Sequence, residues 1–181
     1  AAYVPLAHKS GADDLLGGGL HENQTPIREA LAKIKPMMEH PSVLKILQNA
    51  KYDLVVMQRH GVDIRPFDDT MLISYVLDAG RGTHVLADLA ARYLSHQCRK
   101  LDDVTATGRQ RIPFAQADIP SAAKYAAESA DVTLRLWRAL KPRLAAERMA
   151  RVYERLERPL VPVLARMERR GIMVDRQMLS R

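Results

Sequence analysis

The stretch VLKILQNAKYD, from Val43 to Asp53, decides how this chain reads. Residues 43–47 form a short apolar run that suits a buried strand. The next six residues, Gln48, Asn49, Ala50, Lys51, Tyr52 and Asp53, sit where such a strand ends and a helix begins, so their polar side chains emerge at a sheet edge. Asp53 precedes the helical pattern of residues 54–60, and Gly61 follows it, a pairing of N-cap with C-terminal glycine. A carboxylate here can ligate a hard divalent cation through oxygen, or it can simply cap the helix. Spacing alone favours the cap. Asn49, Lys51 and Tyr52 have the groups to meet phosphate, sugar or base.

Toward the N-terminus, residues 2–8 (AYVPLAH) alternate weakly around Pro5 and predict an edge strand. Residues 11–25 carry Gly17, Gly18 and Gly19 and predict a connecting loop, because they fit no strand–glycine–helix phosphate pattern. Pro26 opens a helix with Ile27, Ala30, Leu31 and Ile34 at helical spacing. Toward the C-terminus, residues 67–77 and 85–94 predict two helices, the first capped by Asp69 or Thr70. Residues 102–120 predict a loop with a short element at 114–117. The clearest helix runs from Pro120 to Leu140, with Ala123, Ala127, Ala130, Leu134 and Trp137 as its apolar stripe. Pro142 is expected to interrupt it. A helix over 144–156 and another from Pro159 to Gly171 follow, the latter burying Leu160, Val163, Leu164 and Met167, with residues 172–175 extended. No internal repeat is visible. The boundary near Pro142 divides the chain into residues 1–141 and 142–181, and the second piece is too short to form a core alone.

A second segment with chemical potential is YAAESAD, Tyr125 to Asp131. Tyr125 and Ser129 are four apart and share a helix face, one predicted to point away from the apolar stripe and to border a cleft. A phenol there can orient water or hold a phosphate oxygen, although an ordinary exposed Tyr–Ser pair has the same spacing. His60 and His84 lack ligand partners at useful spacing and read as structural. Asp68 and Asp69 read as a cap rather than a metal site. Cys98 has no catalytic partner, and Ser129 has no His and acid to activate it.

Composition narrows the class. At 47% hydrophobic and 27% charged, the chain suits a globular core. No apolar run approaches the roughly 18 residues of a membrane-spanning helix. The single Cys98 excludes an internal disulfide and a cysteine zinc cluster and suits a reducing compartment. The net charge of +7 is concentrated: residues 135–181 hold 13 Lys and Arg against 5 Asp and Glu. Such a block gathers phosphates by Coulomb attraction and counterion release, or it is a solvated helical surface.

Four segments in order, QNAKYD at 48–53, FDDTMLISYVL at 67–77, YAAESADVTLRLW at 125–137 and ERPLVPVLARMERRGIMVD at 157–175, resemble the DNA polymerase I family of bacterial family A DNA polymerases. The first and third look like the second and third motifs of its 3′–5′ proofreading exonuclease domain, and the last looks like the lead-in to the polymerase domain near the thumb. The resemblance implies an α/β, ribonuclease-H-like 3′–5′ exonuclease fold with a mixed sheet and flanking helices, N-terminally truncated, followed by helices leading into a thumb. It implies a DNA-directed polymerase of replication and repair in the bacterial cytoplasm at the nucleoid. The implied partners are DNA as a single-stranded 3′ end or a primer–template, with Mg²⁺ or Mn²⁺ as cofactor. A pair of such ions, held by roughly four acidic residues, activates water in that chemistry.

By the same resemblance Asp53 matches one metal ligand, Tyr125 the water-orienting tyrosine, and Gln48, Asn49 and Tyr52 the neighbourhood of the 3′ end. Two departures stand out. The family's Asp-x-Glu motif is expected upstream of this chain, and Ser129 stands where a metal-binding Asp is normal. Asp131 lies about 160° from Ser129 around a helix and Glu128 about 100°, so neither replaces it. The expectation is an impaired nuclease, inactive as a fragment, with a non-catalytic DNA-binding or scaffolding module as the alternative. A stand-alone exonuclease is disfavoured by the 157–175 segment.

Overall fold

The computed structural model describes residues 1–9, 19–21, 24–106, 108 and 111–180. Helix α1 (Ile27–Glu39) starts after Pro26 as its spacing predicts. Strand β1 (Lys45–Leu47) then leads into α2 (Ala50–Arg59), and β2 (Phe67–Asp69) into α3 (Thr70–Leu77). The two strands pair in parallel, Lys45 with Phe67, Ile46 with Asp68 and Leu47 with Asp69, so α2 is the crossover of a βαβ unit. The buried Lys45 ammonium donates to the carbonyls of His40, Val43 and Arg65, which closes the loops leading into both strands. The expected helix over 67–77 therefore divides, its first three residues joining the sheet. Among the described residues the sheet has only these two strands.

Helix α4 (Leu86–Leu94), the short α5 (Asp102–Thr105) and a 3-10 turn at Phe114–Gln116 precede the long α6 (Ile119–Ala146). Then α7 (Ala150–Val152) passes through a π-helical turn (Tyr153–Glu157) into α8 (Arg158–Arg170), which Gly171 ends. Asp175 caps the final turn, α9 (Arg176–Leu179).

Two apolar clusters hold these pieces. Ile73, Leu89, Ala90, Val132, Leu136, Leu140, Leu144 and Tyr153 pack α3, α4 and α6 together. Ala50, Leu54, Ile64, Phe67, Val161 and Ala165 pack α2 against α8.

Several expectations are corrected. Residues 2–8 form no strand; Ala7 takes φ 59, which breaks an extended run, and among the described residues the pairing nearby is a Lys9–Leu20 bridge. The glycine-rich loop around Gly17 lies largely outside the described residues. Pro142 does not end α6. It removes one helical donor, but Leu140 and Leu144 on either side are buried and keep the helix in register. The break comes at Glu147 and Arg148, so no helix spans 144–156.

The α6 stripe is also shifted. Ala122, Val132, Leu136, Leu140 and Leu144 face the core, whereas Ala130 and Leu134 are exposed. In α8 the buried residues are Val161 and Ala165, and Leu160, Val163, Leu164 and Met167 are exposed. Helix α8 packs against α2 through Val161 and Ala165, and among the described residues that is the face that is covered.

Candidate active site

Residues of the QNAKYD segment part company in the structure. Asn49 adopts the left-handed conformation (φ 62) and is the N-cap residue of α2, so Asp53 is not the cap that spacing favours. The cap is supplied from a distance. Asp69, at the end of β2, accepts from the backbone N–H of Asn49 (3.0 Å) and Ala50 (2.9 Å), and also from Met71 (2.9 Å) at the start of α3. One carboxylate thus anchors the first turns of two helices. Burial raises the Asp69 pKa in spite of these donors.

Asp53 lies one turn into α2, half-buried, and among the described residues its carboxyl has no hydrogen bond or ion pair. Burial, reinforced by the neighbouring Asp69 charge, pushes its pKa up to about 6. Desolvation and a like charge both disfavour the ionised form of this acid.

The other residues of the segment divide similarly. Gln48 is committed to the fold: its amide donates to the His84 carbonyl (2.9 Å) and accepts from Thr70 Oγ1 (2.5 Å). His84 also contacts Ser74 through Nδ1 (3.0 Å), in keeping with a structural histidine. Lys51 pairs with Glu168 of α8. Asn49 and Tyr52 are exposed, Tyr52 at 66%.

On α6, Tyr125 and Ser129 share the flank of the face that carries Val132 and Leu136. They point toward the packed side of the helix rather than away from it, which corrects the expected orientation. The Tyr125 ring lies 6.3 Å from Phe114, which in turn lies 5.9 Å from the buried His8. Ser129 Oγ donates to the Tyr125 carbonyl (3.0 Å). Glu128 is held by His96 Nε2 (2.9 Å) and the Arg99 N–H (2.9 Å), and Asp131 pairs with Arg135 (3.6 Å). Both acids have partners within the protein. No hydrogen bond, ion pair or ring contact among the described residues joins Asp53 directly to Tyr125.

The neighbouring Asp68 is a separate construction. Trp137 Nε1 (2.8 Å), Lys141 Nζ (3.1 Å), Tyr153 OH (3.0 Å) and Arg158 (2.9 Å) all direct protons at its buried carboxylate. Burial works against its charge, but these donors outweigh burial and hold its pKa below the usual carboxylate range. Sequence reasoning missed this clasp, and it missed Asp69 as the anchor of α2. The only signal was an Asp-Asp pair directly after an apolar residue.

Among the described residues no three His, Cys, Asp or Glu side chains converge. Asp68 and Asp69 are saturated by protein donors, which leaves Asp53 as the single open carboxylate of the segment.

The comparisons give this arrangement its class. The 3′–5′ exonuclease family matches residues 1–145, and the chain belongs to it. Its relatives are DNA polymerase I proteins: it is 59% identical to that of Rhizobium leguminosarum over 181 residues, covering 100% of this chain and 18% of the relative. It is 43% identical to that of Pseudomonas aeruginosa over 186 residues, covering 99% and 19%. The chain thus spans under a fifth of the length of these relatives.

Among solved structures, the POL domain of Pol1 from M. smegmatis in complex with DNA primer-template and dNTP superposes with a TM-score of 0.67. The identity is 27%, over 90% of this chain and 25% of that one. Brucella melitensis NrnC, at TM-score 0.62 and 19% identity over 75% of this chain and 63% of that one, shares the fold. These findings bear out the resemblance to the DNA polymerase I family and the exonuclease fold class. No helix among the described residues is long and apolar enough to cross a membrane.

Proposed function

We propose that this chain is the exonuclease-type region of a DNA polymerase I acting in replication and repair in the bacterial cytoplasm at the nucleoid. Residues 142–181 begin its polymerase part. The observation that carries this reading is identity to DNA polymerase I along the whole chain; the family match ending at residue 145 supports the division. The region takes the 3′ end of a DNA strand. Asn49 and Tyr52 are exposed at the start of α2 to meet it, Lys51 stands beside them, and Gln48 fixes the turn beneath.

Asp53 is the cation ligand and Tyr125 the residue that orients the attacking water. The cation class is Mg²⁺ or Mn²⁺, hard ions that favour carboxylate oxygen. Ser129 weakens this centre, because a neutral hydroxyl already bonded to the Tyr125 carbonyl offers no charge to a divalent ion. That same bond favours the second reading, a DNA-holding region without hydrolysis.

The test is trimming of 3′-labelled single strands by the full protein with Mg²⁺ or Mn²⁺. Slow trimming is expected, raised about 10- to 100-fold by Ser129→Asp and abolished by Asp53→Asn. Fast trimming that Ser129→Asp leaves unchanged would overturn the impaired centre. No trimming in either protein, with strand binding intact, would establish the holding role.

A further inference from the structure

The C-terminal basic block is not uniform once folded. Much of it serves the fold. Arg135 pairs with Asp131, Lys141 with Asp68 and Glu154, Arg143 with Asp78 and Glu147, and Arg158 with Asp68. Arg148, Arg151 and Arg155 behave differently. They line one surface cleft of about 450 Å³ together with Val152 and Leu156. Among the described residues their side chains have no ion pair and no hydrogen bond. The nearby acids are engaged elsewhere, Glu147 by Arg143 (2.7 Å) and Glu154 by Lys141 (3.6 Å).

Three adjacent exposed cations without protein counterions raise the local positive potential and draw anions from solution. Arg151 in α7 and Arg155 in the π-helical turn are four apart and line the same cleft. Two phosphates of one DNA strand are spaced about 3.4 Å apart along the duplex axis, so a short run of backbone offers several to one cleft. Arg148 completes the cleft from the turn after α6, where it holds φ 61. That conformation is uncommon for a side chain with a Cβ and is free of strain for glycine. Glycine at this position would carry no such backbone cost.

We propose that the Arg148–Arg151–Arg155 cleft is a contact site for successive phosphates of a DNA backbone. The site lies on the α6–α7 turn and is separate from the Asp53 segment. The proposal rests on the DNA-binding reading above and adds where one part of the strand is held.

The test is duplex and single-stranded DNA binding by the full protein between 50 and 200 mM salt. Replacing all three by Gln should reduce the slope of log affinity against log salt by about 2–3. For duplex that shrinks the affinity change across this salt range by about 40-fold. Arg28→Gln with Arg59→Gln, beside a cavity between α1 and α2, should leave the slope as it is. Arg148→Gly should weaken binding without lowering the melting temperature, an outcome that a purely structural arginine would not give. A wild-type slope in the triple variant, with DNA still bound, overturns the cleft and leaves the DNA-binding reading standing. Inorganic phosphate occupying the cleft while the DNA slope stays unchanged also overturns it. Absence of salt-sensitive DNA binding by the wild-type protein removes both.

Discussion

Asp53 and the Asp68–Asp69 pair lie close together and come from the same type of strand-to-helix junction, yet the fold treats them in opposite ways. Asp69 receives three backbone N–H groups at hydrogen-bonding distance, and Asp68 receives four side-chain donors. Asp53 receives none among the described residues, and burial beside Asp69 lifts its pKa to about 6. Carboxylates that protein donors saturate serve the architecture. A carboxylate left partly dry and unpaired is a local cost to stability, and such costs are characteristic of sites reserved for a ligand.

The largest effect that would break this contrast concerns Asp68. Its replacement by Ala strands Lys141 and Arg158 beside a cavity and leaves the Trp137 and Tyr153 donors without an acceptor. A loss of about 3–5 kcal/mol in urea unfolding is expected. Because its folded pKa is depressed, Asp68 contributes stability above the unfolded value of roughly 3.9 and loses it as pH falls through the folded value. Acid unfolding should therefore begin below about pH 4 in the wild type, and this step should be missing from an Asp68→Asn variant. A change under 1 kcal/mol for Asp68→Ala would mean that the clasp is ornamental.

Asp69→Ala comes next. It removes a cap from α3 and the acceptor for the first N–H groups of α2, one of them at the fully buried Ala50. The expected cost is about 2–3 kcal/mol. Because α2 carries Asn49, Tyr52 and Asp53, hydrogen exchange should rise in its first turn before it rises in α6. Uniform exchange across both helices would show that Asp69 does not anchor α2.

The limits of the sequence reading follow from the same contrast. Pro26, Gly171 and the two long helical patterns were legible because each is a local signal, whereas of the apolar run 43–47 only Lys45–Leu47 form a strand and Val43 and Leu44 are exposed. The cap of α2 was not legible, since its carboxylate comes from β2, about twenty residues away, and helix-start spacing points to Asp53 instead. The α6 face was misjudged because Ala123, Ala127 and Ala130 are small and bury little area, whereas the ladder Val132–Leu136–Leu140–Leu144 sets the packing. The α8 face is set by where α2 packs on it, which local spacing does not announce. The roles expected of Asp53, Tyr125 and Ser129 rest on resemblance alone. The partners that separate open from saturated acids belong to tertiary structure.

A smaller effect of opposite sign tests Asp53. Its folded pKa lies above the unfolded value, so the protein is expected to lose stability as pH rises from about 4 through about 6. Asp53→Asn removes that loss. In chelated buffer the variant should exceed the wild type by about 1–2 kcal/mol at pH 8, a two-unit shift discounted for partial exposure, and match it at pH 4. A variant less stable than wild type at pH 8 would show that the carboxylate has a hidden structural partner and would erase its contrast with Asp68.

The finest probe is Tyr153→Phe, which joins the two sides of the comparison. The Tyr153 hydroxyl donates to Asp68 (3.0 Å) and accepts from the Asp69 N–H (2.9 Å), so one oxygen bridges both acids. Phenylalanine keeps the buried ring and its contacts with the Lys141 and Arg158 cations, 5.1 and 5.4 Å from the ring centre. It removes only the bridge. The buried Asp69 N–H then has no acceptor, and Asp68 retains Trp137, Lys141 and Arg158. A cost of about 1 kcal/mol is expected, together with a weaker acid-side stability gain from Asp68. A double-mutant cycle with Asp68→Asn should return a coupling energy of similar size. Zero coupling would mean that the π turn packs against β2 by shape alone, and that the segment after Pro142 holds the strand end through its ring and not through its hydroxyl.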